Sequence, residues 1–411
     1  MYVMYNKQKN KYPIKVWLSD NDVLEEECIE QATNLSNLPF LHKWVALMPD
    51  THTGKGMPIG GIIAANDVII PNAVGVDIGC GMAYLQTNLN ADSLKHTMTG
   101  SGSLLQCIIG DILRNVPVGF KHHKAKQAST AIDVAIADQE RYAFAKTLLP
   151  ELDAGYYQIG TLGGGNHFIE LQEDDEGKVG IMLHSGSRHL GHQICKHFHA
   201  IARKHNQEWF AAVPDEYQLA FLPVGSEEGQ SYIAWMNLAL DFAHENRKHM
   251  LQAVADVVEK SVKRHLGIQP QYSDEINCHH NYAALENHYD KNVWVHRKGA
   301  IRARLGERGI IPGAMGSYSY LVEGKGNVES FQSCSHGAGR LMSRTKAKAS
   351  FSVEAVMNDL KGSGVVLGKA KKSDVAEESR YAYKNIDDVI ANELDLITPV
   401  KRLKTIGVVK G

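Results

Sequence analysis

The sequence has 411 residues, 44% of them hydrophobic and 22% charged, and its formal charge is -2 at pH 7. These values are typical of a globular protein and argue against uniform coating of nucleic acid, although they allow a local basic groove. No apolar run reaches the roughly 18 residues of a membrane-spanning helix, and the polar, basic amino terminus does not resemble a signal peptide. We therefore predict a cytoplasmic protein whose six cysteines are reduced and available as metal ligands.

Apolar spacing in the first part of the chain predicts short strands followed by helices. Short β-branched runs indicate buried strands, and apolar residues at intervals of three and four indicate helices. The expected elements are a strand at 14–18, an acidic helix near 21–36, strands at 59–64 and 68–70, and mainly helix over 91–149 with a break at 116–119. The polar, glycine-rich stretch 48–56 and the glycine-threaded segment 74–82 are predicted to be loops.

The remainder of the chain also lacks a regular alternation of strands and helices. The expected elements are a strand at 179–183, helices over 190–206 and 230–266 with a loop between them, strands at 293–295 and 301–304, and a helix at 385–394. This irregular order favours an α+β fold over a doubly wound α/β sheet. Candidate functional loops are scattered from residue 50 to residue 410, which predicts one interwoven domain over residues 1–411.

The segment 331–346 places His336 directly before a Gly-Ala-Gly sequence. Glycines let the backbone approach a ligand closely and leave the imidazole accessible. Three cations follow at helical spacing, namely Arg340, Arg344 and Lys346. We therefore predict that His336 stands at the start of a short basic helix, whose N-terminus favours anions such as phosphate. The alternative is an ordinary histidine in a glycine-rich turn before a solvated basic helix.

Side chains that bind divalent metals occur in separate predicted loops. Asp77 and Cys80 can turn a carboxylate and a thiolate toward one point, and a thiolate can bridge two cations. His167 follows a triple glycine, His184 ends a predicted strand, and His280 belongs to a Cys-His-His sequence. Each residue alone is more often structural, as a buried thiol or a satisfied core histidine. Together they provide the ligands for a site of two divalent metals.

Groups that bind phosphate accumulate in the last third of the chain. Arginines and a lysine lie in 297–304, and the glycine-rich loop 312–319 can offer backbone N–H groups to a nucleotide. The alternative for 297–304 is an exposed strand with solvated charges. The lysine-rich stretches 121–126 and 369–372 are predicted to be solvated surface, with contact to an RNA backbone as the alternative.

In this order, the motifs resemble those of the RtcB RNA ligases, GTP-dependent enzymes that join an RNA 3′-phosphate or 2′,3′-cyclic phosphate to a 5′-hydroxyl. The resemblance extends from about residue 13 to residue 411. Its motifs are Met-Pro-Asp at 48–50, Gly-Val-Asp-Ile-Gly-Cys-Gly at 75–81, Gly-Asn-His-Phe-Ile-Glu at 165–170, Leu-His-Ser-Gly-Ser-Arg at 183–188, His-His-Asn-Tyr at 279–282, His-Arg-Lys-Gly-Ala at 296–300, Pro-Gly at 312–313 and Ser-His-Gly-Ala-Gly-Arg at 335–340. So many long motifs in one order make the resemblance specific.

The resemblance implies an α+β fold with mixed and antiparallel sheets flanked by helices, GTP and two Mn²⁺ ions as cofactors, and RNA as partner. His336 matches the histidine that accepts GMP, and Asp50 matches a carboxylate that orients it. The implied metal ligands are Asp77, Cys80, His167, His184 and His280, with Cys80 shared. The implied nucleotide pocket comprises Asn166, His167, Glu170, His280, Asn281, Pro312, Gly313, Ala314, Met315, Ser319, His336, Gly337, Ala338, Gly339 and Lys410. The residues expected to face phosphates of GTP or RNA are Arg188, Lys298 and Arg340.

Two positions depart from the family pattern, and neither is an implied metal ligand or the implied nucleophile. Ala314 stands where the family usually has serine, and Gly164 stands where it usually has threonine or alanine. The predicted function is RNA ligation in RNA repair or tRNA splicing, through a GMP–histidine intermediate and an RNA(3′)pp(5′)G end. The alternatives are a dinuclear-metal phosphoesterase acting on RNA ends without nucleotidyl transfer, and an RNA-end-binding protein without catalysis.

Overall fold

A computed structural model describes residues 1–19, 24–369 and 372–411 as two large sheets with helices packed around them. The strands are β1 (Tyr2–Met4), β2 (Ile14–Val16), β3 (Leu41–His52), β4 (Ile59–Ala65), β5 (Val68–Ile69), β6 (Gly81–Asn90), β7 (Met98–Thr99), β8 (Gly102–Ser103), β9 (Phe168–Glu173), β10 (Lys178–Ser185), β11 (Leu222–Pro223), β12 (Tyr272–His279), β13 (Asn281–His288), β14 (Lys291–Lys298), β15 (Ala300–Arg302), β16 (Arg308–Ile311), β17 (Tyr318–Gly324), β18 (Ser333–Ser335), β19 (Val366–Gly368) and β20 (Ile397–Lys410).

Helices occur along the whole chain. The α-helices are α1 (Glu26–Ser36), α2 (Pro71–Val74), α3 (Ala91–His96), α4 (Leu104–Asn115), α5 (Thr130–Ala137), α6 (Leu149–Gln158), α7 (Arg188–Glu208), α8 (Glu227–Leu266), α9 (Arg344–Ser350), α10 (Val353–Gly362) and α11 (Ile386–Asn392). Short 3-10 segments lie at Gln139–Leu148, Asp215–Tyr217, Val328–Ser330, Lys372–Glu378 and Arg380–Ala382. Within the described residues, no helix is long and apolar enough to cross a membrane.

The two large sheets are mixed and mainly antiparallel. The first has the strand order β1-β2-β3-β4-β14-β13, with β2 parallel to β3. The second has the order β12-β6-β10-β9-β20-β17-β16, and β19 lies parallel to β20 beside it. The α+β prediction is therefore confirmed, because the helices do not connect successive parallel strands as they would in a doubly wound fold.

The chain crosses from the second sheet to the first at His280, which separates β12 from β13. The His280 N–H donates to the Cys80 carbonyl at 2.8 Å, and the Ala300 N–H donates to the His280 carbonyl at 3.1 Å. Strands β15 and β18 then form a two-stranded ribbon that ends at Ser335. Residues from several predicted site motifs consequently lie where the two sheets meet.

The 40-residue helix α8 supports the second sheet from behind. Its N-terminus is capped by Ser226, whose hydroxyl accepts from the Gly229 N–H at 3.1 Å, and it ends at Gly267 in the left-handed region. Apolar residues of its second half, such as Val254, pack with the sheet residue Ile181 in one fully buried cluster. This packing fixes the middle of α8 directly behind the candidate site.

Several predicted elements are confirmed to within a few residues, namely the strands near 14, 59, 68, 179, 293 and 301 and the helices at 190–206, 230–266 and 385–394. The predicted loop at 48–56 is wrong in its first half, because β3 continues to His52. Its pairing with β4 shifts register between Leu47 and His52, and this irregularity accommodates Pro49. The helix predicted directly after His336 is also wrong, because α9 begins only at Arg344.

Two predictions fall partly outside the described residues. The acidic helix predicted near 21–36 is observed as Glu26–Ser36, while positions 21–23 lie outside the description. In the lysine-rich stretch 369–372, positions 370 and 371 lie outside it, and Lys369 Nζ donates to the Gly411 carbonyl at 2.6 Å.

Candidate active site

Three possible metal ligands converge at the ends of adjacent strands of the second sheet. Cys80 directly precedes β6, His167 directly precedes β9, and His184 lies in β10. Their ligand atoms all lie within 4.8 Å of one another, and Cys80 Sγ is 3.4 Å from His167 Nε2 and 3.2 Å from His184 Nε2. Bonds of about 2.3 Å to sulfur and about 2.0 Å to nitrogen, at angles of 90–110°, separate two ligands by about 3.1–3.6 Å. The observed spacing fits direct coordination of one ion.

Asp77 and His280 extend this cluster on opposite sides. Asp77 Oδ2 lies 3.1 Å from His167 Nε2, and His280 Nε2 lies 3.3 Å from His184 Nε2. The Cys80 thiol contacts both His167 and His184 and therefore stands between the two pairs. The Cys80 thiol is thus the central group of the cluster, with a histidine on either side of it.

Backbone carbonyls fix the orientation of two of these imidazoles. His167 Nδ1 lies 3.0 Å from the Leu162 carbonyl, and His184 Nδ1 lies 3.3 Å from the Asn166 carbonyl. An Nδ1–H donated to each carbonyl leaves the Nε2 lone pair directed into the cluster. Burial lowers the pKa of His184 and of His280 well below the usual range, which keeps these rings in the neutral form that binds metals.

The acidic ligands of the cluster have opposite protonation tendencies. Burial, with Asp77 nearby, raises the pKa of the Cys80 thiol well above its ordinary value. Burial also acts to raise the pKa of Asp77, but His167 and Arg188 lower it to about 2. A buried thiol beside a carboxylate keeps its proton unless a cation is bound. The donor set therefore fits a divalent cation.

A buried arginine on α8 binds the backbone next to Cys80 and next to His184. Arg247 is fully buried, and its guanidinium donates to the Gly79 carbonyl at 2.8 Å and to the Ser185 carbonyl at 3.0 Å. None of the hydrogen bonds described for this side chain is to a carboxylate, and burial lowers its pKa to about 10. Arg247 thus places a cation directly behind the cluster, where it faces the negative charge of the acidic ligands.

His336 lies across from this cluster and is paired with a buried carboxylate. Its Nδ1 lies 2.6 Å from Asp50 Oδ2, and the N–H groups of His336 and Gly337 donate to the same oxygen at 3.1 and 3.3 Å. Although burial acts to raise the pKa of Asp50, the charge and hydrogen bond of His336 keep it below its ordinary value. The ring of His336 is centred 4.7 Å from that of His280. With Nδ1 engaged by Asp50, Nε2 is the ring atom left for chemistry.

Two further features hold the His336 segment in place. Gly339 has φ +73°, and a Cβ at this position would come within 2.1 Å of the Asp50 carbonyl oxygen, so only glycine fits. The Ser335 N–H donates to Glu393 Oε2 at 2.8 Å, and burial with Asp50 nearby raises the pKa of Glu393 to about 8. A protonated Glu393 therefore supports the segment from behind.

A cavity of about 790 Å³ opens beside His336 and reaches Asn166, Phe168 and Glu170. This volume is in the range of sites that enclose a nucleotide-sized ligand. At its far wall Lys410 Nζ donates to Glu378 Oε2 at 2.9 Å. Burial raises the pKa of Glu170 to about 7, although Lys410 acts in the opposite direction. The cavity thus combines an aromatic face, a carboxyl group and a cation.

The structure brings most of the predicted pocket residues to the cavity wall. Those lining it are Asn166, Glu170, Pro312, Gly313, Ala314, Met315, His336, Gly337, Ala338, Gly339 and Lys410, together with His184 and Arg340. Those not lining it are His167, His280, Asn281 and Ser319. Asn281 instead accepts from the Gly299 N–H at 2.7 Å and donates to the Asp77 carbonyl at 3.1 Å, and Ser319 Oγ accepts from the Gly313 N–H at 3.1 Å. The last two side chains shape loops around the site.

The three predicted phosphate-facing cations occupy different environments. Arg188 is partly exposed and donates to Thr161 Oγ1 at 3.2 Å. Lys298 is buried, where its Nζ donates to the Lys55 and Asn72 carbonyls, and burial lowers its pKa to about 8. Arg340 lines the cavity while donating to the Tyr383 hydroxyl at 2.8 Å.

Sequence reasoning missed Glu378 and Tyr383 at the cavity wall and Arg247 behind the cluster. Glu378 ends the 3-10 segment Lys372–Glu378, and Tyr383 directly follows the 3-10 segment Arg380–Ala382. Such short segments have too few residues to show a periodic pattern in the sequence. Arg247 lies in a polar run of α8, where a cation is ordinarily solvent-exposed. Only the position of these residues in space reveals their roles.

Comparison with known proteins gives a consistent result along the chain. A model of the family described as tRNA-splicing ligase RtcB matches residues 31–411. The chain is 40% identical to the RNA-splicing ligase RtcB of Escherichia coli (strain K12), over 97% of this chain and 97% of that protein. It is 32% identical to the tRNA-splicing ligase RtcB of Thermococcus kodakarensis over 98% and 96%, and 34% identical to that of Methanococcus maripaludis over 94% and 92%.

Proposed function

Because the chain belongs to the RtcB family, we propose that it is an RNA ligase of tRNA splicing and RNA repair, which joins 3′-phosphate or 2′,3′-cyclic phosphate ends to 5′-hydroxyl ends. GTP and two Mn²⁺ ions are the proposed cofactors, RNA is the substrate, and the cytoplasm is the proposed location. One observation carries the proposal: His336, held by Asp50, lies between a nucleotide-sized cavity and a Cys/His cluster. We also propose that residues 1–411 act as one domain, since the site combines both sheets.

The cavity supports GTP as the nucleotide. A guanine base presents two neighbouring N–H donor groups on one edge, and the Glu170 carboxyl group lies at the cavity wall as an acceptor for them. Phe168 offers an aromatic face, and Lys410 adds a donor for the guanine carbonyl oxygen. The Gly313 and Gly337 N–H groups already donate to Ser319 and Asp50. The backbone N–H groups proposed to bind phosphate oxygens are therefore those of Ala314, Met315, Ala338 and Gly339.

In the proposed first step, His336 Nε2 attacks the α-phosphorus of GTP. An N–P bond forms, the bond from that phosphorus to its bridging oxygen breaks, and pyrophosphate leaves with the electron pair. With its proton on Nδ1, the imidazole needs no base, because the attacking Nε2 already carries a lone pair. The positive charge that develops on the ring is stabilised by the Asp50 carboxylate 2.6 Å away.

The later steps use the same histidine as a leaving group. An oxygen of the RNA 3′-phosphate attacks the GMP phosphorus, the N–P bond breaks, and an RNA(3′)pp(5′)G end forms. The 5′-hydroxyl of the second RNA then attacks the 3′-phosphate and loses its proton to solvent. A phosphodiester forms, the bond from that phosphorus to the oxygen bridging to GMP breaks, and GMP leaves with the electron pair. A cyclic phosphate is first opened by water to the 3′-phosphate. We propose that Arg188, Lys298 and Arg340 bind the phosphates of GTP or RNA during these steps.

The proposed metal ligands are Asp77, Cys80, His167, His184 and His280. Their spacing and their combination of thiolate, imidazole and carboxylate donors support a divalent cation. When bound, such ions neutralise phosphate charge and polarise the bonds to phosphorus. Thiolate and imidazole ligands favour zinc over manganese by affinity alone, so use of Mn²⁺ depends on geometry and availability.

The direct test is incubation with α-labelled GTP and Mn²⁺, followed by denaturing electrophoresis. We expect a covalent label on the wild type that survives alkali and is lost in acid, as a phosphoramidate requires. The His336→Ala variant should carry no label, whereas His189→Ala, which changes an exposed histidine on α7, should label normally. Metal-loaded, folded wild type without label would contradict nucleotidyl transfer and favour the phosphoesterase alternative.

A further inference from the structure

We propose that the loop 117–124, here called the Phe120 loop, is a docking surface for single-stranded RNA. The Phe120 ring would stack on a base, and Lys121 and Lys124 would contact the phosphates on either side. This inference rests on the proposed function and deepens it, because it assigns the surface that holds the strand as its end enters the active site.

The composition of the Phe120 loop is complementary to single-stranded RNA, since its lysines can bind phosphates and its phenylalanine can stack on a base. The Phe120 side chain is 100% exposed, and Lys121, His122 and Lys124 are exposed beside it. No aspartate or glutamate occurs between residues 116 and 132. Aromatic platforms interleaved with cations are how proteins bind single strands with little sequence preference, because every base has a face that can stack.

The position of the loop connects it to the active site. The Leu162 N–H donates to the Pro117 carbonyl at 2.9 Å, and the Gly119 N–H donates to the Gly163 carbonyl at 2.8 Å. Residues 162 and 163 are themselves part of the site. The Leu162 carbonyl orients His167, and a Cβ at Gly163 would come within 2.0 Å of the Arg188 guanidinium. Phe120 therefore directly follows Gly119, whose N–H is bonded to the Gly163 backbone, and Gly163 in turn abuts Arg188, a proposed phosphate contact.

The backbone of the loop is held in place, so the main chain that carries Phe120 is positioned before RNA arrives. Beyond the contacts of Gly119, the His123 N–H donates to the Tyr157 carbonyl at 3.0 Å and the Gln127 N–H to the Tyr156 carbonyl at 2.8 Å. Preformed surfaces lose less conformational entropy on binding. Lys126 is excluded from the proposed contacts, because its ammonium group is paired with Asp153.

A second exposed phenylalanine shows why exposure alone does not identify an RNA-binding surface. Isolated apolar residues on a surface are ordinary, and Phe210 at the end of α7 is 94% exposed. Its surroundings include the Arg203–Asp215 ion pair, and none of the contacts described for it reaches the active site. Phe210 therefore provides a matched control for Phe120, with the same side chain and nearly the same exposure in a different electrostatic setting.

The test measures RNA affinity by fluorescence anisotropy without GTP, using a labelled single strand that ends in a 3′-hydroxyl and cannot be joined. We expect Phe120→Ala to weaken binding by about fivefold to 100-fold, with Phe120→Tyr close to wild type and Phe210→Ala unchanged. Lys121→Ala combined with Lys124→Ala should reduce the slope of log affinity against log salt by about 1.4, or about 0.7 for each lost phosphate contact. Equal affinities of Phe120→Ala and wild type would overturn the proposal.

A second readout separates this inference from the proposed function. Labelling of His336 by α-labelled GTP, without RNA, should be the same in Phe120→Ala and wild type, which also shows that the variant is folded. Loss of that labelling in Phe120→Ala would overturn the docking role, because the loop would then act through the active site itself. Absence of labelling in the wild type would instead contradict the proposed function, while the affinity measurement would still decide the RNA surface.

Discussion

The active site holds its histidines in two different ways. His167 and His184 present Nδ1 to neutral backbone carbonyls at 3.0 and 3.3 Å, whereas His336 presents Nδ1 to the buried Asp50 carboxylate at 2.6 Å. A carbonyl fixes the orientation of a ring and adds no net charge, but a carboxylate also stabilises the ring when it becomes positive. The first arrangement suits neutral ligands, and the second suits a nucleophile that becomes cationic.

The two groups of histidines also belong to different parts of the fold. The cluster lies at the ends of β6, β9 and β10 in the second sheet, while His336 follows the β15–β18 ribbon and Asp50 belongs to β3 of the first sheet. His280 lies at the crossing between the sheets and contacts both groups. The separation between His336 and the cluster is therefore determined by how the sheets meet, so each group can be perturbed separately.

The largest effect is expected from removing the charge that distinguishes the two arrangements. Asp50→Asn should lower the rate of His336 guanylylation by about 10²- to 10⁴-fold, because an amide neither fixes the tautomer nor stabilises the cationic ring. Binding of Mn²⁺, followed by electron paramagnetic resonance titration, should be unchanged. A variant that labels at the wild-type rate would show that the carboxylate charge has no part in the step.

A smaller effect is expected for the cluster, through Arg247, which donates to the backbone carbonyls next to Cys80 and His184. Arg247→Met should lower Mn²⁺ affinity by about 10- to 100-fold, because the carbonyls next to Cys80 and His184 lose their donors. Guanylylation should fall at limiting Mn²⁺ and recover with excess, a rescue that global unfolding would not show. Arg247→Lys, which keeps a donor, should lie between the two. Unchanged affinity in folded Arg247→Met would contradict a role in positioning the ligands.

The smallest effect is expected on the pH dependence of the free energy of unfolding, through Glu393, which lies behind the His336 segment. The pKa of Glu393 is raised from an ordinary value of 4.5 to about 8, so between these values the folded state binds a proton that the unfolded state has released. The free energy of unfolding should therefore decrease with rising pH, by up to about 1.4 kcal/mol per unit from this residue. Urea denaturation from pH 5 to 8 should show a shallower decrease for Glu393→Gln. Parallel curves would mean that Glu393 is ionised when folded.

The part of the site that lies in local sequence motifs could be predicted, whereas the part that depends on contacts between distant segments could not. His336, Cys80 and His184 each lie in a short glycine-rich motif that is recognisable without a partner. The partners in space are invisible at that level: Arg247 reads as an exposed helical cation, and Phe120 as part of a solvated lysine-rich loop. The fold class followed from the irregular order of elements, but polar strands such as β12 gave no alternating pattern.

The wrong helix after His336 has a physical cause. The spacing of Arg340 and Arg344 is helical, yet Gly337 and Gly339 are held against Asp50 and Arg340 bridges to Tyr383 in an extended conformation. The side chain of Ser343 accepts from the Lys346 N–H and caps the helix only there. Tertiary contacts therefore override the local spacing, and the N–H groups of His336 and Gly337 donate to the Asp50 carboxylate instead of opening a helix.

The long separations within the site have a consequence for how the protein matures. Asp50 and His336 are 286 residues apart, and Cys80 and His184 are 104 apart. Contacts between such distant segments form late, after most of the chain entropy has been lost. A partly folded chain would thus have every required residue and no paired nucleophile. If His336 takes up GMP as we propose, the fraction of molecules that becomes labelled would also measure how many have completed folding.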